Sequence, residues 1–368
     1  MRIENTQVLM KDGVFRKASV EFTDTIQKVE ISDTIDPKVE HYLIPGLIDI
    51  HTHGALGGDH TDGCPDKMQE MAGFYAKSGT TSFMATTLTD TEETIARAMS
   101  NIAAYKRTDN TARCIGINME GPFFSHPRRG AHQAELLQNP TIGMYERLYK
   151  ASGEKLNLVC LAPELDGAMD FIKEVSKRCR VSLAHSAADY NTAMQAFESG
   201  ATLATHLFNG MEPFLHRAPG LVGAAMDSGA FVEVICDGYH LHPAVIRAIF
   251  RMFPNRVCLI SDSLRCAGLP DGDYESAGLG VTVTNGKCML RDGSSLAGST
   301  ITLLQGVRIA VSLGIPLAQA VMAASASCAQ VMGMEDKIGS IAPGKYADMV
   351  LLDSGLNIKN VYIDGKEI

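Results

Sequence analysis

The sequence predicts an α/β protein: a (β/α)8 barrel of the TIM type carrying a small β-sandwich built from both chain ends. Three observations lead there. Eight apolar, strand-like runs alternate with helical patterns from Ile44 onward, six of those runs end in residues able to bind a metal or move a proton, and the two chain ends are β-rich while the middle is not. Alternating buried strands and helices imply parallel strands, and eight in series suit a closed barrel. A doubly wound open sheet is the other arrangement, but no Gly-x-Gly-x-x-Gly opens a helix after the first run.

The first segment reads as short strands, Gln7 to Met10 and Ala18 to Phe22, around a Lys11-Asp12-Gly13 turn. The last segment reads alike, with Ala347 to Leu352, Ile358 to Ile363 and the turn Asp364-Gly365-Lys366. Residues 1–44 and 336–368 are therefore expected to form one small discontinuous domain, with 45–335 as the barrel. Its strands are placed at Leu47 to His51, Thr81 to Thr86, Cys114 to Met119, Leu156 to Leu161, Val181 to His185, Thr202 to His206, Val232 to Cys236 and Cys258 to Ser261. Between them, Asp66 to Lys77, Thr91 to Tyr105, Tyr190 to Glu198 and Pro243 to Met252 carry apolar residues at three-and-four spacing, the mark of a helix with one buried face.

A net charge of −9 lacks the basic footprint that general nucleic-acid binding needs. No apolar run is long enough to span a membrane, and nine scattered cysteines without a CxxC pair read as reduced core residues, so the expectation is a cytoplasmic enzyme.

The active site of such a barrel lies at the C-terminal ends of its strands. There the first run offers His51 and His53, which share a face of an extended chain about 7 Å apart. The third ends in Glu120, the fifth in His185, the sixth in His206, the seventh in Asp237 to His240 and the eighth in Asp262. Singly, each has a bland reading: a hydrogen-bonded histidine, a solvated carboxylate, a turn residue. Jointly they imply a metal or a satisfied polar network, since unpaired buried charge is costly. Glu120, His185 and His206 make the two-nitrogen, one-oxygen set of an open catalytic metal site. A divalent ion lowers the pKa of water from about 15.7 to about 7. Asp262 beside that water can take its proton and hand it to a leaving amine, while His51 and His53 hold a second ion or widen the first shell.

Two longer stretches carry a resemblance. Pro45-Gly-Leu-Ile-Asp-Ile-His-Thr-His-Gly54 and Gly339-Ser-Ile-Ala-Pro-Gly-Lys-Tyr-Ala-Asp348 resemble the marks of the metal-dependent amidohydrolase superfamily. Met119-Glu-Gly-Pro-Phe123, Gly130-Ala-His132, Leu161-Ala-Pro-Glu164, Ala204-Thr-His-Leu-Phe-Asn209, Asp237-Gly-Tyr-His240, Ser261-Asp262 and Leu296-Ala-Gly-Ser299 are similar to the N-acetylglucosamine-6-phosphate deacetylase family within it. That resemblance implies hydrolysis of the acetamide of a phosphorylated amino sugar by a homodimer, with Glu120, His185 and His206 as metal ligands and Asp262 as the acid-base residue. It places His132 and His240 against substrate, Asn209 and Gly210 near the sugar phosphate, and Arg217 as a phosphate-binding arginine reaching across a dimer interface. One or two divalent ions are expected, zinc first, with iron, manganese or cobalt as the other choices; the His51/His53 pair favours two. N-acetylgalactosamine 6-phosphate is the alternative substrate, and a cyclic-amide or other N-acyl amidohydrolase the alternative enzyme. Cyclic-amide hydrolases commonly bridge two metals with a carboxylated lysine after the fourth strand, where this chain has Ala162-Pro163-Glu164. A scaffold without chemistry should have lost ligands that are all present here. His60 is read as a turn cap, and Arg128 and Arg129 as solvated loop cations.

Overall fold

The structure is a computed structural model that describes residues 1–32 and 40–368. Positions 33–39, part of the expected terminal segment, lie outside the described residues.

Eight parallel strands follow one another in chain order around a single sheet: Leu47–Thr52, Thr80–Thr87, Arg113–Glu120, Leu156–Leu161, Arg180–Leu183, Leu203–Ala204, Phe231–Ile235 and Val257–Ile260. Ile48, Met84, Leu158, Leu203, Ile235 and Ile260, from six different strands, pack on one another, as inward side chains of a closed barrel do. The seam between first and last strands is closed by polar groups. The Asp262 N–H donates to the His51 carbonyl at 2.9 Å, and the buried Asp49 Oδ1 accepts from the His51 and Ser261 N–H groups at 3.3 and 3.2 Å. Burial raises the Asp49 carboxyl to about 6, against the hydrogen bonds from Ser261 and His51 that favour its charged form.

The covering helices begin where the sequence supplies caps. Thr91 accepts from Thr94 N to open Glu92–Ala104, Asp189 accepts from Thr192 N to open Tyr190–Glu198, and Pro65 begins Pro65–Lys77. The face formed by Ile95, Ala98, Met99 and Ile102 is buried on the barrel, as its spacing predicts.

Strands from both chain ends share a seven-stranded sheet. It is antiparallel except where Arg2–Leu9 pairs parallel with His41–Pro45, and Met349–Asp353 pairs with His41–Pro45 on its other side. The sheet closes over its own core, Phe22 meeting Tyr362 edge-on at 5.4 Å. Arg113, at the start of the third barrel strand, ties it to the barrel by pairing with Asp348 at 3.2 Å and Asp364 at 2.6 Å.

Among the barrel elements, the structure departs from the sequence reading at the ends of the fifth and sixth strands and after the eighth. The fifth and sixth strands stop at Leu183 and Ala204 rather than at His185 and His206, because both histidines take positive φ, 45° and 28°, which turns the chain out of the ladder. A three-stranded antiparallel sheet, Gly272–Ser276, Leu279–Thr284 and Lys287–Leu290, follows the eighth strand and was not anticipated. Its signal was present: Asn285-Gly286, at φ 52° and 76°, forms the two-residue turn of a hairpin.

Replacing Asp49 by Ala leaves the His51 and Ser261 N–H groups facing a dry seam. The expected cost is about 1–3 kcal/mol of stability, read as a lowered thermal midpoint; an unchanged midpoint would show that the seam does not depend on this carboxylate.

Candidate metal-dependent active site

The barrel mouth converges on one carboxylate. Glu120, last residue of the third strand, directs Oε1 at His206 Nε2 (3.0 Å) and His185 Nε2 (3.4 Å), and Oε2 at His53 Nε2 (3.1 Å) and His51 Nε2 (3.5 Å). Two triads thus share Glu120: one with His51 and His53, the other with His185 and His206, all buried. Within each pair Nε2 faces Nε2, at 3.3 Å for His51 and His53 and 3.1 Å for His206 and His185.

Whether these residues suit a cation is tested by the other ring nitrogens. His51 Nδ1 lies 2.9 Å from Glu233 Oε2, His53 Nδ1 3.2 Å from the Thr86 carbonyl and His185 Nδ1 2.9 Å from the Arg128 carbonyl. Oxygen acceptors there require a proton on Nδ1, so each neutral imidazole presents its Nε2 lone pair to the mouth. His206 Nδ1 has no such partner among the described residues. Converging lone pairs around a buried carboxylate are the donor set of a divalent transition-metal site. Among the described residues, none that lines the cavity is Lys or Arg.

Asp262 completes the cluster, with Oδ1 3.2 Å from His53 Nε2 and 3.5 Å from His51 Nε2. It too has positive φ, 49°, so His185, His206 and Asp262 each spend backbone strain to aim a side chain inward. The loop after it is pinned to the first strand's loop: the His53 and Gly54 N–H groups donate to the Ser263 carbonyl at 2.9 and 3.0 Å, and Ser263 Oγ donates to the Gly54 carbonyl.

Without a cation, the site compensates its carboxylates with imidazolium charge. Burial opposes ionisation of Glu120, yet the charge of His51 and hydrogen bonds from His185, His206 and His51 hold it well below the usual range. Burial likewise opposes Asp262, and His53 and His51 outweigh it. Burial opposes a charge on His53, but Asp262 and Glu120 raise it to about 9. His132 is pushed down to about 3, by burial and then by the charge of His185, and stays neutral.

The remaining predicted residues divide. His132, His240, Asn209 and Gly210 line the cavity with the cluster. His240 Nδ1 is held by Asp237 Oδ2 at 2.7 Å. Gly210 packs so closely that a Cβ there would stand 2.7 Å from His185 Nδ1. Arg217 is not brought in: it lies on an exposed loop, donating to His216 Nε2 at 2.6 Å, beside exposed Phe214 and Leu215. His60 neither joins the site nor caps the turn. Asp59 accepts from Thr61 N as the cap, while His60 stacks on Phe83 at 5.6 Å, kept neutral by burial. Neither arginine is a free solvated cation: half-buried Arg128 pairs with Glu212 at 2.6 Å, and half-buried Arg129 donates to the His126 carbonyl at 3.0 Å. After the fourth strand no lysine stands in the mouth; Glu164 instead accepts from Ser186 Oγ at 2.7 Å. Sequence reading passed over Glu233, whose only signal was a charge inside the apolar run Phe231-Val-Glu-Val-Ile235.

Comparison with known proteins agrees with this geometry. An amidohydrolase family model matches residues 42–368. The chain belongs to the amidohydrolase family. It is 38% identical to an N-acetylglucosamine-6-phosphate deacetylase of Vibrio furnissii, over 88% of this chain and 82% of the relative. It is 36% identical to an N-acetylgalactosamine-6-phosphate deacetylase of Escherichia coli O157:H7, over 99% and 95%. A structure of N-acetyl-D-glucosamine-6-phosphate deacetylase from Mycobacterium smegmatis in complex with N-acetyl-D-glucosamine-6-phosphate matches with a TM-score of 0.93 at 30% identity, covering all of this chain and 98% of that one. Likeness to these amidohydrolases fits the donor set, the family's metal dependence and the eight-stranded barrel.

Because His53 holds its proton up to about pH 9 in the metal-free chain, and a ligating nitrogen must give it up, metal uptake at neutral pH should release at least one proton. Affinity then rises about tenfold per pH unit toward pH 9. Calorimetry in buffers of different ionisation heat measures this, and uptake without proton release at pH 7 would contradict it.

Proposed function

We propose that the chain hydrolyses the acetamide of N-acetylglucosamine 6-phosphate to glucosamine 6-phosphate and acetate. The observation that carries this is Asp262 at the floor of the cavity, its carboxylate against His53 and the Glu120 cluster. The glucosamine sugar is favoured over the galactosamine one because the whole chain superposes on a deacetylase holding the glucosamine substrate.

Glu120, His185 and His206 are proposed to hold one divalent ion, and His51, His53 and Glu120 a second, zinc being the first choice for this histidine-rich set. Such an ion, when bound, polarises a carbonyl and lowers the pKa of water. The chain's own residues do the rest. Asp262 takes a proton from the attacking water and returns it to the leaving amine. His132, neutral and facing the cavity, steadies the developing oxyanion by hydrogen bonding. His240 is oriented by Asp237 to meet a sugar hydroxyl, and the turn at Asn209 and Gly210 approaches the phosphate.

Arg217 fits this scheme through a homodimer. It stands outside its own cavity on a loop that exposes Phe214 at 43% and Leu215 at 54%, an apolar pair suited to burial against a second copy. Its guanidinium would there hold phosphate oxygens in the neighbouring cavity. All nine cysteines are free thiols and no helix among the described residues is long and apolar enough to cross a membrane; both support placing the enzyme in the reducing cytoplasm.

Acetate release from the two N-acetylhexosamine 6-phosphates, with metal analysis of the same sample, tests the reading; cleavage of neither sugar overturns it. Asp262→Asn should lower turnover by roughly 10^2–10^4 with metal content unchanged, and near-normal turnover would remove Asp262 from the mechanism. Arg217→Ala should chiefly raise KM for the phosphorylated sugar and erase its advantage over plain N-acetylglucosamine; a preserved preference would place phosphate recognition elsewhere.

A further inference from the structure

The search for unassigned chemistry leads to the back of the cluster rather than to its open side. Glu233 sits mid-way along the seventh strand, wholly buried and outside the cavity lining. Its Oε2 faces His51 Nδ1 at 2.9 Å and accepts from the His206 backbone N–H at 3.4 Å, while Oε1 has no hydrogen-bond partner among the described residues. A buried carboxylate whose one side-chain partner is an imidazole is costly unless further positive charge stands near it. The open end of that imidazole points to where such charge could be: His51 Nε2 lies 3.3 Å from His53 Nε2 and 3.5 Å from Glu120 Oε2.

The two triads are not alike behind their ligands. His185 Nδ1 rests on a peptide carbonyl and His206 Nδ1 has no hydrogen-bond partner among the described residues, so neither ring nitrogen meets a carboxylate. Among the described residues, His51 alone of the four has its outer ring nitrogen on a carboxylate, while Glu233 meets His206 through the backbone N–H.

We propose that Glu233 is the positioning residue of the His51/His53/Glu120 point. It holds His51 with its proton on Nδ1, aims Nε2 at the point between the three ligands, and adds negative charge that favours a divalent cation there over the Glu120/His185/His206 point. Occupancy of the second ion is then set from the seventh strand, two strands round the closed barrel from the motif that binds it. Carboxylate partners of ligating histidines typically govern metal affinity by about 10–100-fold. This inference rests on the two-ion reading above.

The test is Zn2+ titration of metal-free wild type, E233Q and E233L against a competing chelator, with circular dichroism to verify folding. E233Q keeps an acceptor for the Nδ1 proton and removes the charge, whereas E233L removes both. Wild type is expected to take up two ions. E233L is expected to keep one at wild-type affinity and hold the other about 10–100-fold more weakly, with E233Q between them. If E233L does not fold, selective weakening of one ion in E233Q carries the same result. Unchanged uptake of both ions in the folded variants overturns the proposal, as does equal weakening of both, which would mark Glu233 as a general support of the barrel interior. A wild-type chain that binds one ion or none overturns the two-ion reading and this proposal with it.

Discussion

The site depends on a single buried carboxylate shared by four imidazoles. Glu120 turns one oxygen toward His185 and His206 and the other toward His51 and His53, so two chelating pairs meet at one hinge of negative charge. Among the described residues, no lysine or arginine enters this cluster from the cavity wall. Buried anions without a cation are costly, and the metal-free site answers by keeping imidazolium charge on residues such as His53. A divalent ion relieves the same demand with the histidines neutral. Metal dependence is thus a consequence of how charge is buried here.

Around that constraint the fold divides its work. Strands bring the ligands to one end of the barrel, but strand geometry alone does not aim them. His185, His206 and Asp262 leave the ladder with positive φ. Such strain is stable only because the loops are held, with Ser263 tied to Gly54 and the His185 ring packed against Gly210. The unanticipated three-stranded sheet supplies Ser276, Leu279, Val281 and Leu290 to the cavity wall, giving the polar floor an apolar side. Floor and added wall together make one concave pocket with polar groups converging at its base.

Much of this was legible in the chain. All eight barrel strands were placed, because parallel buried strands are continuous apolar runs that need no partner to be recognised. The convergence of His51, His53, Glu120, His185 and His206 was legible too, since the rule that barrel sites form at strand ends turns one-dimensional position into three-dimensional proximity. Asn285-Gly286 was readable but passed over. Glu233 was harder to judge, because a lone acid in an apolar strand shows no purpose until its partner, His51, is set beside it from 182 positions away.

The sequence by itself determined the alternation of strand and helix and the arrival of four histidines and Glu120 at a common mouth, for these follow from local periodicity and from topology. Only the tertiary structure decided which oxygen of Glu120 serves which pair, that His60 turns away to stack on Phe83, and that Arg217 stays outside its own cavity. The physical reason is the same in each case. Which atom meets which depends on loop turns and side-chain rotamers set by packing between distant segments, and no local pattern encodes those.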